Sequence, residues 1–362
     1  MSAEAAKRNV PSPNPRVRPA HTIRVESAAV YLAFIAGGLG AVYGFIVSLI
    51  SAGGTIFEGP GSFGIMASFG AGVVAAIAAG IGYWRARLRP GEEWRLSLPA
   101  WKYTVNTISV VIAHTALAFL ATYAIYRVLS LGFVGLPVIT FWAVVLMAVT
   151  LGMTAYLVFL SVSRMTTQRM STLLMTFVVL GTLTSMVTTP DKEWWAVHFS
   201  QLGTFDDLSS WVFNGTLIAG GLLVTSFAVY IATDMDALLK RRKLTNPRSS
   251  RIVSSLFVVM GIMLSFVGIV PVDVNLLIHN LAATGMAVMF LTLLTAGPKL
   301  LAGMPRTYFV SSWAFLAATV GSVVLFAVGY FGLTAFEIIV FALIFGWIAV
   351  FIRFLGVTGQ GD

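Results

Sequence analysis

Residues 138–162 read VITFWAVVLMAVTLGMTAYLVFLSV, 25 consecutive positions without a charged side chain. An α-helix rises about 1.5 Å per residue, so this stretch is long enough to cross the roughly 30 Å hydrocarbon core of a bilayer. Nine further segments have the same character: Ala28–Ile50, Gly61–Trp84, Tyr103–Tyr126, Met170–Thr188, Trp211–Thr233, Ile252–Val270, Leu276–Ala296, Tyr308–Tyr330 and Thr334–Phe354. Strands of an outer-membrane barrel are about 10 residues long and alternate in polarity; these runs do neither. Composition agrees, with 58% hydrophobic and 10% charged residues over 362 positions, where a soluble domain carries about 25% charged. The expected fold class is therefore all-α, a polytopic helical membrane bundle of ten spans. Cysteine is absent, which removes disulfides, thiolate metal sites and cysteine nucleophiles.

Charge placement orients the bundle. Lysine and arginine collect in cytoplasmic loops, and with the N-terminus in the cytoplasm 21 of the 23 basic residues fall on that side. Only Arg127 and Lys192 fall outside, and a miscounted span would invert every later loop. Both termini are expected to be cytoplasmic, in the inner membrane of a bacterium. The net charge of +9 is thus a split, with an acidic outer face, rather than a basic character directed at nucleic acid. No folded nucleic-acid-reading module accompanies it, and membrane lipids are the expected partners. The run Lys240, Arg241, Arg242, Lys243 suits anionic headgroups. Trp84, Trp94, Trp101 and Trp313 belong at the inner interface and Trp142, Trp194, Trp195 and Trp211 at the outer one, the levels that amphipathic rings prefer. Trp347 falls in mid-span, where packing between helices is expected.

The chain divides into a basic, proline-rich tail expected to be disordered (1–24), a four-span N-terminal part (25–168), a four-span core (169–300) and two C-terminal spans (301–362). Gly40 and Gly44 in the first span, with Ala71, Ala75 and Ala79 in the second, form the small-residue faces that let membrane helices approach closely. Such a face serves packing within the chain, which we favour, or a homo-oligomer seam.

Polar residues inside a bilayer are costly, so their positions are the best pointer to function. They gather on the outer side. The longest outer loop, TPDKEWWAVHFSQLGTFDDLSS (residues 189–210), carries His198, Ser200, Asp206 and Asp207, and Asn214 lies one turn into the next span. Between the seventh and eighth spans come Asp273 and Asn275, with His279 just inside the eighth. Glu58 and Glu337 lie near the same surface. Trp194, Trp195, Phe199 and Leu202 are expected to line one side of a short interfacial helix. Two sharp chemistries fit this set. One is a zinc site with His198, Asp273 and His279 as ligands. The other is a Ser200 nucleophile with His198 or His279 as base and an aspartate orienting it. Neither has a signature spacing, since HExxH and GxSxG are both missing, so no cofactor is expected and simple hydrogen bonding of loop to helix ends is preferred. His114 stands alone near the middle of the third span; a proton or substrate relay is weighed there against a neutral ring bonded to a neighbouring hydroxyl or carbonyl, and the neutral ring is favoured. Hydroxyls on the fifth span (Thr172, Thr176, Thr182, Thr184, Ser185) are expected to bond back to their own helix.

Two stretches resemble a known family. His198-Phe199-Ser200-Gln201-Leu202-Gly203-Thr204, followed by Phe213-Asn214-Gly215, is similar to the S-x-L-G…F-N…G pattern of bacterial membrane proteins of domain of unknown function 998. Gly268-Ile269-Val270-Pro271-Val272-Asp273, with His279 following, is similar to that family's G-x-x-P-x-D…H segment. The likeness runs over residues 170–300, with a distant likeness to the eukaryotic Frag/DRAM/Sfk-type membrane proteins. It implies that Ser200, Leu202, Gly203, Asn214, Pro271, Asp273 and His279 are marked positions. The expected function is non-enzymatic: binding or organising a lipid or other membrane component through the outer polar patch. A transporter of a small or amphiphilic solute is the first alternative and a metal-dependent intramembrane hydrolase the second.

Overall fold

The computed structural model describes residues 17–50, 61–88, 93–204 and 206–360. The tail residues 1–16 and Glu58 lie outside them. Among the described residues ten helices are long and apolar enough to span a membrane. They are α1 (Val17–Ile50), α2 (Phe63–Ala86), α3 (Ala100–Gly132), α4 (Thr140–Ser163), α5 (Thr167–Thr188), α6 (Leu208–Lys240), α7 (Ser249–Ile269), α8 (Leu276–Leu300), α9 (Arg306–Ala327) and α10 (Leu333–Gln360). Each apolar run became one helix, with the ends displaced. α1 begins inside the stretch expected to be disordered, and Pro19 falls in its first turn, where no intrahelical bond needs its missing N–H. α6 continues past its apolar run through Asp234 and Asp236 to Lys240, because leaving the hydrocarbon does not require a helix to stop.

Ten alternating helices bring Val17 and Gln360, where the described residues begin and end, to one end of the bundle, the terminal end; the loop after α5 and the turn after α7 lie at the far end. α1 packs on α4, and α2 on α3 and α4. A second group runs α5, α6, α7, α8 in sequence, with α10 returning against α5 and α6 and carrying α9 on its flank. α3 joins the groups through α5 and α6. Large apolar side chains remain on the surface, among them Phe34 at 74% and Leu39 at 65% exposure. A water-facing protein could not leave such surface uncovered, whereas lipid solvates it.

Where helices cross closely, small residues permit it. A Cβ on Gly40 or Gly44 would run into the α4 backbone at Met147 and Ala143, so the α1 glycines pack within the chain. The α6–α7 crossing is closer still: Gly221 and Gly261 face each other so that a Cβ on either would strike the other's carbonyl oxygen. Between α7, α8, α9 and α10 the interior is aromatic. Trp347 is fully buried, as its mid-span position suggests; it lies parallel to Phe257 and Phe351 and donates from Nε1 to Ser312 Oγ at 3.1 Å. At the terminal end Arg164 pairs with Glu26, tying α4 to α1. There too the α2–α3 connection is docked by Arg95. Its guanidinium lies over the rings of Tyr83, Trp94 and Tyr230 at 5.1 to 5.4 Å and donates to the Met165 carbonyl. A guanidinium suits this place because its planar, weakly hydrated face stacks on aromatics.

Candidate functional site at the far end of the bundle

The α5–α6 loop is held by its own side chains. Two short 3-10 turns, Trp194–Ala196 and Phe199–Gly203, replace the single interfacial helix expected there. The chain breaks between them, where Val197 and His198 leave helical geometry (ψ −80° and 161°). Phe199 is the anchor, its ring edge-on to Phe213 of α6 at 5.1 Å and to Phe341 of α10 at 5.7 Å. Asn214 Nδ2 donates to the Gly203 carbonyl at 2.9 Å. A Cβ at Gly203 would collide with that amide, so glycine is required at this approach. Asp207 then caps α6, accepting from Ser210 N at 2.9 Å while Ser210 Oγ accepts from Asp207 N, a reciprocal box that satisfies two backbone donors.

Folding this loop onto the bundle brings Ser200 to His279, across 79 residues of sequence, with Oγ and Nε2 3.0 Å apart. His279 Nδ1 lies 2.9 Å from the Val270 carbonyl. A carbonyl only accepts, so Nδ1 carries a hydrogen; in the neutral ring Nε2 is then the acceptor and Ser200 O–H the donor. Both residues are buried. His198 is adjacent and half-buried. Its Nδ1 is buried and, among the described residues, has no hydrogen-bond partner. Burial, and after it the neighbouring His279, lowers the His198 pKa below the usual histidine value.

Beside the pair lies a cavity of about 510 Å³, bounded by Phe199 and Ser200 of the loop and by the far-end turns of α6, α7, α8 and α10. α8 and α10 meet through the rings of Phe290 and Trp347, 5.8 Å apart, and nearer their first turns both line the cavity. The walls are mostly apolar, with Phe213, Phe336 and Phe341 prominent. Ser200, Asn280, Thr284 and Glu337 are the polar exceptions. Glu337 Oε2 accepts from Phe199 N at 2.6 Å, which fastens α10 to the loop.

The structure therefore sorts the residues singled out in the sequence. Ser200, His279 and His198 come together, and Asn214 braces the loop carrying two of them. Asp207 and Asn275 are helix caps, Asn275 accepting from Ile278 N at 3.0 Å. Asp206 is exposed at positive φ (48°). Asp273 is exposed in the turn before α8; because α8 starts only at Leu276, Asp273 and His279 do not share a helix face. Among the described residues no aspartate is bonded to either histidine; for His279 the Val270 carbonyl takes that place. Among the described residues no group of three or more histidine, aspartate or glutamate side chains is placed to hold a metal ion, so His198, Asp273 and His279 do not form one. His114 is bonded as a neutral ring would be, Nδ1 to the Val110 carbonyl at 2.8 Å and Nε2 to Ser161 Oγ at 3.0 Å. Thr172, Thr182 and Thr184 bond back to their own helix, but Ser185 donates to the Ser209 carbonyl of α6. Of the wall residues, Glu337 and Asn280 stood out as polar residues of this face, but their meeting with Phe341 around one cavity did not. They sit on helices whose mutual placement no spacing encodes, and the hints were the cost of a carboxylate inside the last span and of an amide inside the eighth.

The family model described as protein of unknown function (DUF998) matches residues 172–353. The chain belongs to this family. The matched stretch runs from α5 into α10, further than the 170–300 resemblance, and so takes in every helix that walls the cavity. A likeness to the Frag/DRAM/Sfk-type proteins is not shown. No curated protein and no solved structure matches the chain at a significant level.

Proposed function

We propose that this multi-pass DUF998 protein lies in a bacterial cytoplasmic membrane with both termini in the cytoplasm. In that setting it binds or organises a membrane amphiphile in the cavity, which then faces the outer leaflet. The observation that carries this reading is the cavity: its volume of about 510 Å³ is within the usual range for small-molecule sites, and few polar groups on apolar walls are what such sites present. Ser200, held by its bond to His279 behind the wall, offers with Asn280, Thr284 and Glu337 a few fixed polar groups for a head while the phenylalanines receive its chain. Lipid retained by purified protein, measured by mass spectrometry of the intact complex, tests this. Ala283→Phe, which fills the cavity, is expected to abolish retention of a specific lipid, whereas Phe69→Ala on the exposed face of α2 leaves it unchanged. Equal retention by both variants overturns the reading.

A second reading rests on the polarity of the Ser200–His279 bond, which is that of a nucleophile and its base. Ser200 Oγ would attack an acyl carbonyl as its proton passes to His279 Nε2. The departing alcohol would take that proton, and water would release the acyl group by the same route. Amphiphile binding is preferred because the chain makes the same pairing at His114 and Ser161, which line neither this cavity nor the two smaller ones described at the terminal end. There the bond is structural. A fluorophosphonate probe decides the matter, and the preferred reading expects Ser200 to stay unlabelled. Transport draws no support from His114, both of whose ring nitrogens are engaged.

A further inference from the structure

Glu337 is a carboxylate at the wall of a largely apolar cavity, and the structure gives it one hydrogen bond, from Phe199 N to Oε2. An ionised carboxylate offers about four lone-pair sites, so Oε1 is left without a partner among the described residues. No lysine, arginine or histidine pairs with it there, the ion pair described being that of Arg164 with Glu26. The two basic residues on this side of the membrane, Arg127 and Lys192, are not in the cavity wall, and Lys192 Nζ donates to the Thr189 carbonyl. Removing a carboxylate from water without a counter-charge is expensive. Around it stand the rings of Phe199, Phe336 and Phe341, and aromatic faces attract cations within about 6 Å, most strongly where water is excluded.

We propose that the occupant of the cavity is an amphiphile with an ammonium headgroup, whose positive charge is answered by Glu337 and flanked by these phenylalanines. This rests on the amphiphile-binding reading above and adds to it the charge of the head. Phosphate- or carboxylate-headed lipids without an amine are disfavoured, because the cavity wall carries a carboxylate and no fixed cation. Ser200, Asn280 and Thr284 supply acceptors for the ammonium hydrogens that Glu337 does not take. The bond from Phe199 N keeps the carboxylate in place before the ligand arrives, so little ordering is left for binding to do.

The test compares three probes on lipid-depleted protein in maltoside micelles by isothermal titration: dodecylammonium, 1-dodecanol with the same chain, and ethylammonium with the same head. The variant is Glu337→Gln, which keeps the size and an oxygen acceptor for Phe199 N, so its melting temperature should stay close to that of the parent. Wild-type protein is expected to prefer dodecylammonium over dodecanol by about tenfold, the preference vanishing in Glu337→Gln, since a charge-assisted bond is roughly twice as strong as a neutral one. Micelle partitioning is common to both proteins and cancels in that comparison. Equal affinity of the wild type for the two long-chain probes, with both lost in Ala283→Phe, overturns the charge assignment and leaves the amphiphile reading standing. Failure of every long-chain probe to bind overturns both. Ethylammonium binding as well as dodecylammonium would make the ligand a soluble amine and overturn the lipid assignment.

Discussion

His198 and His279 are neighbours held in different ways, and the difference is measurable. His279 has a partner on each ring nitrogen, while His198 has a buried Nδ1 without one among the described residues. The folded state, through burial and then through His279, lowers the His198 pKa, so the unfolded chain takes up a proton first as pH falls through about 6.5. Stability should therefore be fully present above that value and decline below it, levelling once the folded-state ring also protonates. A melting-temperature series from about pH 8 to about pH 5 should show this decline, and His198→Gln should flatten it; an unchanged slope would remove His198 as its source. Ser200→Ala belongs to the same scale. It leaves His279 Nε2 buried without its donor, a loss of roughly 1–3 kcal/mol, to be read from thermal unfolding in detergent. The Ser200–His279 pairing could not be foreseen from spacing, because residues 79 apart meet only through the packing of the loop onto α8. The marked positions of the family pattern pointed to both residues, and Ser200 bonded to His198 or His279 is one of the two chemistries that fit the outer polar set. What the sequence could not supply was the choice of His279 and of the Val270 carbonyl, in place of an aspartate, to orient it. Glu337 lay outside that pattern.

The helices as elements were legible because each answers to one term, the cost of exposing peptide groups to hydrocarbon. That term counts residues but is blind to partners. The α1 glycines announced a close crossing without naming α4 as the neighbour, and the tighter crossing of α6 on α7 passed unread although Gly221 and Gly261 are both plain in the sequence. Gly261 and Gly268 of α7 both meet the α6 backbone, at Gly221 and at Asn214, but the glycines of α6 (Gly215, Gly220, Gly221) do not repeat at a matching spacing; what matters is which residues stand opposite each other. Gly221→Val is expected to force α6 and α7 apart and to cost about 1–3 kcal/mol or more. The same change at Gly215, which faces open space, should cost far less; comparable losses would deny the crossing. At the start of α8, Asn275→Ala should cost about 1 kcal/mol by removing the cap on Ile278 N. Because that cap fixes the turn of helix carrying His279, it should also weaken lipid retention.

At the scale of the whole molecule the cavity and, among the described residues, all the lysine and arginine side chains but Arg127 and Lys192 lie at opposite ends. Every wall residue comes from the start of α6, α8 or α10, the end of α7, or the α5–α6 loop, and these are the ends farthest from the arginine- and lysine-rich connections. The positive-inside rule is the ground on which the proposed function puts the cavity in the outer leaflet. Absence of cysteine makes the orientation directly testable. Ala196 in the α5–α6 loop and Arg248 before α7 are both exposed, whereas Ser210 and Ser249 are buried and would report burial instead of sidedness. On intact cells an impermeant maleimide should label Ala196→Cys and spare Arg248→Cys until the membrane is opened. The reverse pattern would place the cavity in the cytoplasmic leaflet. Glu337 would then face a surface rich in anionic lipid, where a carboxylate in the wall would select against the commonest headgroups and so act as a filter on charge.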